Sequence, residues 1–162
     1  MQRPNLKMGH QMIDFRREAY HPLLIEEMIP LWRNHHDEIS VYKDMQLSPD
    51  FKIYENAEKM GMLRIYTARH EGTLVGYQIY FVHFHPHYSE TKEAVQDLLF
   101  LSKTMRIGFI GYRFIKWVDD QLFADGVAII YQNVENTHDH SALLERLGYQ
   151  EHERKFSRRI NS

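Results

Sequence analysis

Apolar positions along the chain follow two periods, and the switches between them mark most of the elements. Leu23, Leu24, Met28, Ile29, Leu31 and Trp32 form a stripe at helical spacing. Pro22 suits the first position of that helix, and Pro30 predicts that it kinks or divides. Upstream, Gln11 to Ala19 reads as a first strand. Ser48-Pro49-Asp50 predicts the start of a second helix, with Ser48 as N-cap and Pro49 in the first turn. Phe51, Tyr54 and Ala57 continue it, and Gly61 stops it. The period then changes to two. Leu63, Ile65 and Thr67 alternate with polar residues, and His70-Glu71-Gly72 turns the chain into the β-rich run Thr73–Phe84. These two runs predict a hairpin. A loop from Pro86 to Lys92 leads to a third strand, Ala94–Leu101. Ile110, Phe114, Ile115, Val118, Leu122 and Phe123 return to helical spacing, which Asp125-Gly126 ends. Val127–Tyr131 reads as a short buried strand, Ser141–Leu147 as a helix closed by Gly148, and Tyr149–Ile160 as a last strand.

The strand–helix–strand unit from Ala94 to Tyr131 predicts a right-handed crossover between parallel strands. With the early antiparallel hairpin it predicts an α/β (α+β) fold, a mixed sheet flanked by helices. The 162 residues fit a single domain spanning 1–162, with the polar residues 1–10 expected to fray. Composition narrows the function classes. A net charge of −2 gives no basic surplus for nucleic acid or a membrane surface. The absence of cysteine excludes disulfides, thiolate zinc sites and cysteine nucleophiles, and suits a cytoplasmic protein. The N-terminus carries no apolar signal region, and no apolar run approaches the roughly 20 residues needed to span a bilayer.

Chemistry concentrates first between Leu101 and Ile110, where a strand meets a helix. That link carries Arg106 and Gly108, and Gly111 opens the helix. Glycines allow a tight turn with exposed N–H groups, which with the positive helix end suit a phosphate. Arg106 would add a charge-assisted contact.

Arg106-Ile-Gly-Phe-Ile-Gly111 resembles the Gln/Arg-x-x-Gly-x-Gly/Ala turn of the GNAT superfamily of acetyl-CoA-dependent N-acetyltransferases. Phe109 replaces the middle glycine, and Gly108 lies one place earlier. Leu143-Leu-Glu-Arg-Leu-Gly-Tyr149 is similar to the family's late helix, which ends at Gly before the last strand. The order of elements follows the family along almost the whole chain. His85-Pro-His-Tyr-Ser89, followed by Ala94 and Asp97, resembles small family members encoded by tailed bacteriophages, which would act in the host cytoplasm.

The resemblance implies a mostly antiparallel sheet with one splayed parallel strand pair holding the cofactor. The pantetheine arm of acetyl-CoA would bond the backbone near Leu99, Phe100 and Leu101. Its pyrophosphate would rest on Arg106, Ile107, Gly108, Phe109, Ile110 and Gly111. Asn136 lies one place from a family Asn that contacts the arm. The activity implied is acetyl transfer to a primary amine of a small molecule, a protein lysine or an N-terminus, and a homodimer is compatible with it. The family base is often a Glu on the strand before the turn, where Asp97 and Glu93 stand here. The family's Tyr acid falls on Leu144, leaving Tyr131, Tyr149 and Tyr112 as substitutes.

The alternation of His83, His85 and His87 has three readings, one of which is a plain surface or packing role. In another, these residues line the acceptor pocket, with His83 or His85 as an alternative base near neutral pH. Otherwise they hold a metal with Glu90, Glu93 or Asp97, although Pro86 interrupts the strand. No residue is assigned as a metal ligand. The rival functions are a non-catalytic GNAT-like module that binds a host or virion partner, and a His-based metalloenzyme.

Overall fold

The computed structural model describes residues 12–160, so the expected fraying of residues 1–10 lies outside the described residues. Ten short segments build the fold. Strand β1 (Ile13–Glu18) leads to helix α1 (Pro22–Ile39) and helix α2 (Phe51–Lys59). Strands β2 (Leu63–His70), β3 (Thr73–His85) and β4 (Tyr88–Leu101) follow, then a single 3₁₀ turn at Lys103–Met105. Helix α3 (Ile110–Ala124), strand β5 (Ile129–Tyr131) and helix α4 (Ser141–Arg146) complete it. The five strands lie in sequence order, β1-β2-β3-β4-β5. All neighbours are antiparallel except β4 and β5, which run parallel. The expected mixed sheet with one parallel pair is therefore present.

Two cores hold the helices to the sheet. On one face Leu24, Ile25, Met28 and Trp32 of α1 and Ala57 of α2 pack on Leu63, Ile65, Tyr77, Ile79 and Phe100. On the other, Phe114, Val118 and Leu122 of α3 pack on Tyr66, Tyr80, Val82 and Ala94. The alternation of strand side chains produces this division. Gly76 lets β4 approach: a Cβ there would lie 2.8 Å from the Phe100 carbonyl oxygen and 2.9 Å from Leu101 Cδ1. No helix among the described residues is long and apolar enough to cross a membrane.

Several boundaries differ from expectation, each for a local reason. Helix α1 is not divided at Pro30, which sits on its exposed face, so the Glu26 carbonyl it leaves unpaired faces water. Helix α2 is capped by Asp50 rather than Ser48, because the Asp50 carboxylate accepts from the Lys52 N–H at 3.0 Å. The expected loop before β4 is largely strand: β3 and β4 form a hairpin turning at Pro86-His87. Tyr88 pairs with His85 and Lys92 with Phe84, across a register shift that leaves Ser89 to Thr91 without partners, and Tyr88, Ser89 and Glu90 are exposed. Tyr149–Ile160 is not a strand. Residues 150–160 are exposed and carry no regular structure. The run Glu151-His-Glu-Arg-Lys155 has no apolar face to bury, and β5, three residues long, offers little edge to pair with.

Candidate active site

The parallel pairing of β4 with β5 covers only three residue pairs, Glu93 with Ile129, Ala94 with Ile130 and Val95 with Tyr131. Beyond Val95 the strands part, and side chains bridge the opening. The Asn133 N–H donates to Gln96 Oε1 at 3.1 Å, and Asn133 Nδ2 donates to the Gln96 carbonyl at 2.7 Å. Just past this point β4 carries a β-bulge. Ile79 pairs with Leu98 and Tyr80 with Gln96, so Asp97 has no partner on β3. A bulge re-aims its side chain, and here the Asp97 carboxylate meets α2. The Tyr54 hydroxyl donates to Asp97 Oδ2 at 2.6 Å. Burial raises the Asp97 carboxyl above the usual carboxylate range, and the Tyr54 bond partly offsets this. Burial also raises the Tyr54 hydroxyl well above its ordinary value, reinforced by the adjacent carboxylate.

Leu99, Phe100 and Leu101 continue β4 along the gap, their other edge paired with Gln78, Tyr77 and Gly76 of β3. The turn follows. Gly108 takes the left-handed conformation, φ +55°, for which glycine is suited. Ile110 donates to the Ile107 carbonyl at 3.3 Å and Arg113 to that of Phe109 at 2.9 Å. The N–H groups of Ile107, Gly108, Phe109, Gly111 and Tyr112 find no backbone acceptor among the described residues. A Cβ on Gly111 would meet only Leu143 Cδ1, at 3.7 Å. Phe109 does not block this surface from within: it is 74% exposed. The turn therefore fits a pyrophosphate by free donors and open space at one helix end.

Arg106 is engaged inside the protein. Its Nε donates to the Leu101 carbonyl at 2.7 Å, and its guanidinium grips the Glu38 carboxylate at the end of α1 with both terminal nitrogens. His138 Nδ1, on the loop after β5, lies 3.2 Å from the same carboxylate. The Arg106 guanidinium holds the Glu38 carboxyl below its usual range. Asn136 lies in an exposed turn of that loop. The asparagine that bridges the strands is Asn133.

The other candidates form a second group. Glu93 pairs with His83 across the hairpin, on the sheet face shared with Asp97. It is 5% exposed. His83 Nδ1 lies 3.5 Å from its Oε1, and His85 Nε2 lies 4.0 Å from its Oε2. His85 Nδ1 accepts from the His87 N–H at 3.0 Å, which places the ring proton of the neutral imidazole on Nε2, toward Glu93. The His87 ring lies tilted against His85, with centroids 5.7 Å apart. Among the described residues no three His, Cys, Asp or Glu are grouped to hold a metal ion, so the metalloenzyme reading has no ligand set.

Of the substitute tyrosines, Tyr149 is part of an internal network. Its hydroxyl donates to Asp119 Oδ1 at 2.7 Å, and Gln132 Nε2 links it, at 3.4 Å, to Tyr80 at 2.7 Å. Burial pushes Asp119 up to about 6 and Tyr149 well above its ordinary value. Leu144, at the family's Tyr position, is buried. Sequence reasoning missed Tyr54, Glu38, His138 and Asn133. Tyr54 was visible only as part of an apolar stripe, and the other three carried no signal.

No protein-family model matches the chain, and no curated protein matches it in sequence. Solved structures do match its fold. An aminoglycoside acetyltransferase from an uncultured soil metagenomic sample, crystallised with trehalose, superposes with a TM-score of 0.71 at 16% identity, over 92% of this chain and 97% of that one. Ribosomal-protein-alanine N-acetyltransferase from Brucella melitensis superposes with a TM-score of 0.72 at 16% identity, over 93% and 99%. A predicted acetyltransferase from Clostridium acetobutylicum, crystallised with acetyl-CoA, gives 0.65 at 11% identity, over 92% and 97%. The chain has the GNAT acetyltransferase fold.

Proposed function

We propose that the chain is an N-acetyltransferase that moves an acetyl group from acetyl-CoA to a primary amine. The observation that carries this reading is the opening of β4 from β5 beside the Asp97 bulge, ending at a turn of free amides. Acetyl-CoA supplies an acetyl group activated as a thioester. The amides of Ile107, Gly108, Phe109 and Gly111 would hold its pyrophosphate, and the free edge of Leu99–Leu101 its amide-bearing arm, as in strand addition. Ile110 gives its N–H to the Ile107 carbonyl, so it contributes shape rather than a donor.

Asp97 acts as the base. A primary amine arrives as an ammonium ion, and its proton passes to the Asp97 carboxylate, directly or through one water. The freed nitrogen attacks the thioester carbonyl, the C–N bond forms, the C–S bond breaks and the thiolate leaves, while the second proton that the nitrogen sheds on becoming an amide passes through water to the thiolate. Burial of Asp97 brings its basicity nearer to the working pH, which favours proton transfer. No tyrosine is needed as acid, because a thiol with a pKa of about 8.5 leaves readily as the thiolate, and the proton it takes up is the one the amide nitrogen gives away.

Isothermal titration with acetyl-CoA tests the reading, with saturable binding expected. Absence of binding would overturn it. The buried Leu144 favours a second reading, a non-catalytic module on the same fold. Release of free CoA thiol in the presence of amines separates the two, since only an enzyme gives turnover.

A further inference from the structure

Helix α3 starts without a side-chain cap. Its N-cap is Phe109, where serine, threonine, aspartate or asparagine is usual. An acceptor side chain there would occupy one of the first N–H groups of the helix; without it, those of Gly111 and Tyr112 stay open. A small residue would do as much, and the turn this chain resembles has glycine at that place. Phe109 instead puts a ring on the outside of the turn. It is 74% exposed and belongs to neither core cluster. Ile107, on the other side of Gly108, is 54% exposed. The Phe109 ring thus contributes little to packing and nothing to capping, and its contact with water carries a cost that a ligand stacked on it removes. Arg113 stands one turn later, at i+4, on the same face of α3. Helical side chains lean toward the N-terminus, so Arg113 leans over the turn. It is exposed, and its guanidinium has no hydrogen bond or ion pair among the described residues. Two nearby cations are already engaged, Arg106 by Glu38 and Lys116 by Asp120.

We infer that Phe109 and Arg113 read the nucleotide half of coenzyme A, with adenine on the Phe109 ring and the 3′-phosphate on the Arg113 guanidinium. The protein then takes its acyl group from free acyl-CoA rather than from phosphopantetheine carried on another protein. This rests on the acetyl-CoA reading of the turn. The pyrophosphate joins pantetheine to the 5′ oxygen of the ribose. A pyrophosphate seated on the Phe109 amide therefore leaves adenine one sugar away from the Phe109 side chain. A purine face stacks on an aromatic ring whatever its edges carry, and this needs an exposed ring rather than a closed pocket. A phosphate suits an unpaired guanidinium, which offers it two parallel N–H bonds.

The test is calorimetric titration with CoA, 3′-dephospho-CoA and 4′-phosphopantetheine. Wild-type affinity is expected to fall at each removal. Phe109→Ala keeps the amide and removes the ring. It is expected to weaken CoA and dephospho-CoA by about fivefold or more and to leave phosphopantetheine within about twofold of wild type. Phe109→Tyr keeps the stack and is expected to bind all three as the wild type does. Arg113→Gln is expected to weaken CoA by about fivefold or more and to leave dephospho-CoA within about twofold. Equal loss for all three ligands in Phe109→Ala, or loss for none, overturns the adenine contact. Equal loss for CoA and dephospho-CoA in Arg113→Gln, or loss for neither, overturns the phosphate contact. If the wild type binds phosphopantetheine as tightly as CoA, both contacts fall while the acetyl-CoA reading stands. If CoA itself does not bind, that reading falls and the inference falls with it. Melting of each variant checks that it is folded.

Discussion

Replacing Tyr54 by Phe removes a single oxygen from the proposed catalytic centre. The ring keeps its place, stacked on Phe81 with centroids 5.9 Å apart and tilted against Trp32 at 5.8 Å, so packing is preserved. What is lost is the 2.6 Å bond to Asp97 Oδ2, the one hydrogen bond to that carboxylate among the described residues. Hydrogen bonds to charged groups contribute about 1.5–3 kcal/mol, and about 1.4 kcal/mol corresponds to one pH unit. The sign follows from the opposing influences on Asp97. Burial raises its pKa and Tyr54 lowers it, so removing Tyr54 raises it further. Because the base works as the carboxylate, activity falls as pH drops through that pKa. The acidic limb of the kcat/KM profile in Tyr54→Phe should therefore move upward by about one to two pH units. Rates above the new limb should be equal to or higher than those of the wild type, since a more basic carboxylate takes a proton more readily. The assay is CoA release across pH at low amine concentration. If the limb stays where it is while the variant remains folded, Asp97 is not the base.

Three further outcomes follow from the same geometry. Gly111→Val should weaken acetyl-CoA binding by at least about tenfold, or about 1.4 kcal/mol, without lowering Tm, because the new side chain meets little but Leu143 and occupies the space over the free amides; normal affinity in calorimetry would remove the turn from the cofactor site. Gly76→Ala should destabilise the fold by about 1–3 kcal/mol in denaturant unfolding, since its Cβ cannot fit against the Phe100 backbone. His35 lies in the core with Nδ1 3.0 Å from the Tyr77 hydroxyl, and burial pushes its pKa down from 6.5 to about 4. Its neutral form is favoured by folding, so stability is full above pH 6.5 and declines by roughly 2–4 kcal/mol as pH falls toward about 4; the unfolding free energy of His35→Gln should be flatter across that window.

Elements with a buried face were legible from sequence, because burial imposes a period. The α3 stripe from Ile110 to Leu122 and the hairpin of β2 and β3 are examples. Elements held by backbone pairing alone were not. Tyr88 to Lys92 carries no apolar alternation, yet it extends β4, whereas Tyr149–Ile160 has neither an apolar face nor an edge to join. The site divides in the same way. The turn announced itself through glycines, and Asp97 through a charge in an apolar strand. The bulge that frees Asp97, the partner Tyr54 and the Asn133 bridge to Gln96 depend on register between distant strands. No local pattern encodes the meeting of Glu38 with Arg106 across 68 positions.

That meeting gives the proposed site a built-in competitor. The guanidinium expected to greet a phosphate already grips a carboxylate of its own chain, with His138 against the same carboxylate. For Arg106 to turn to the cofactor, one anion must be exchanged for another, and the observed affinity would be the difference between two ion pairs. Release of Glu38 would also loosen the tie between the end of α1 and the loop after β5. The cofactor's arrival would thus be felt at two segments it need not touch, by subtraction of a bond rather than by any new contact.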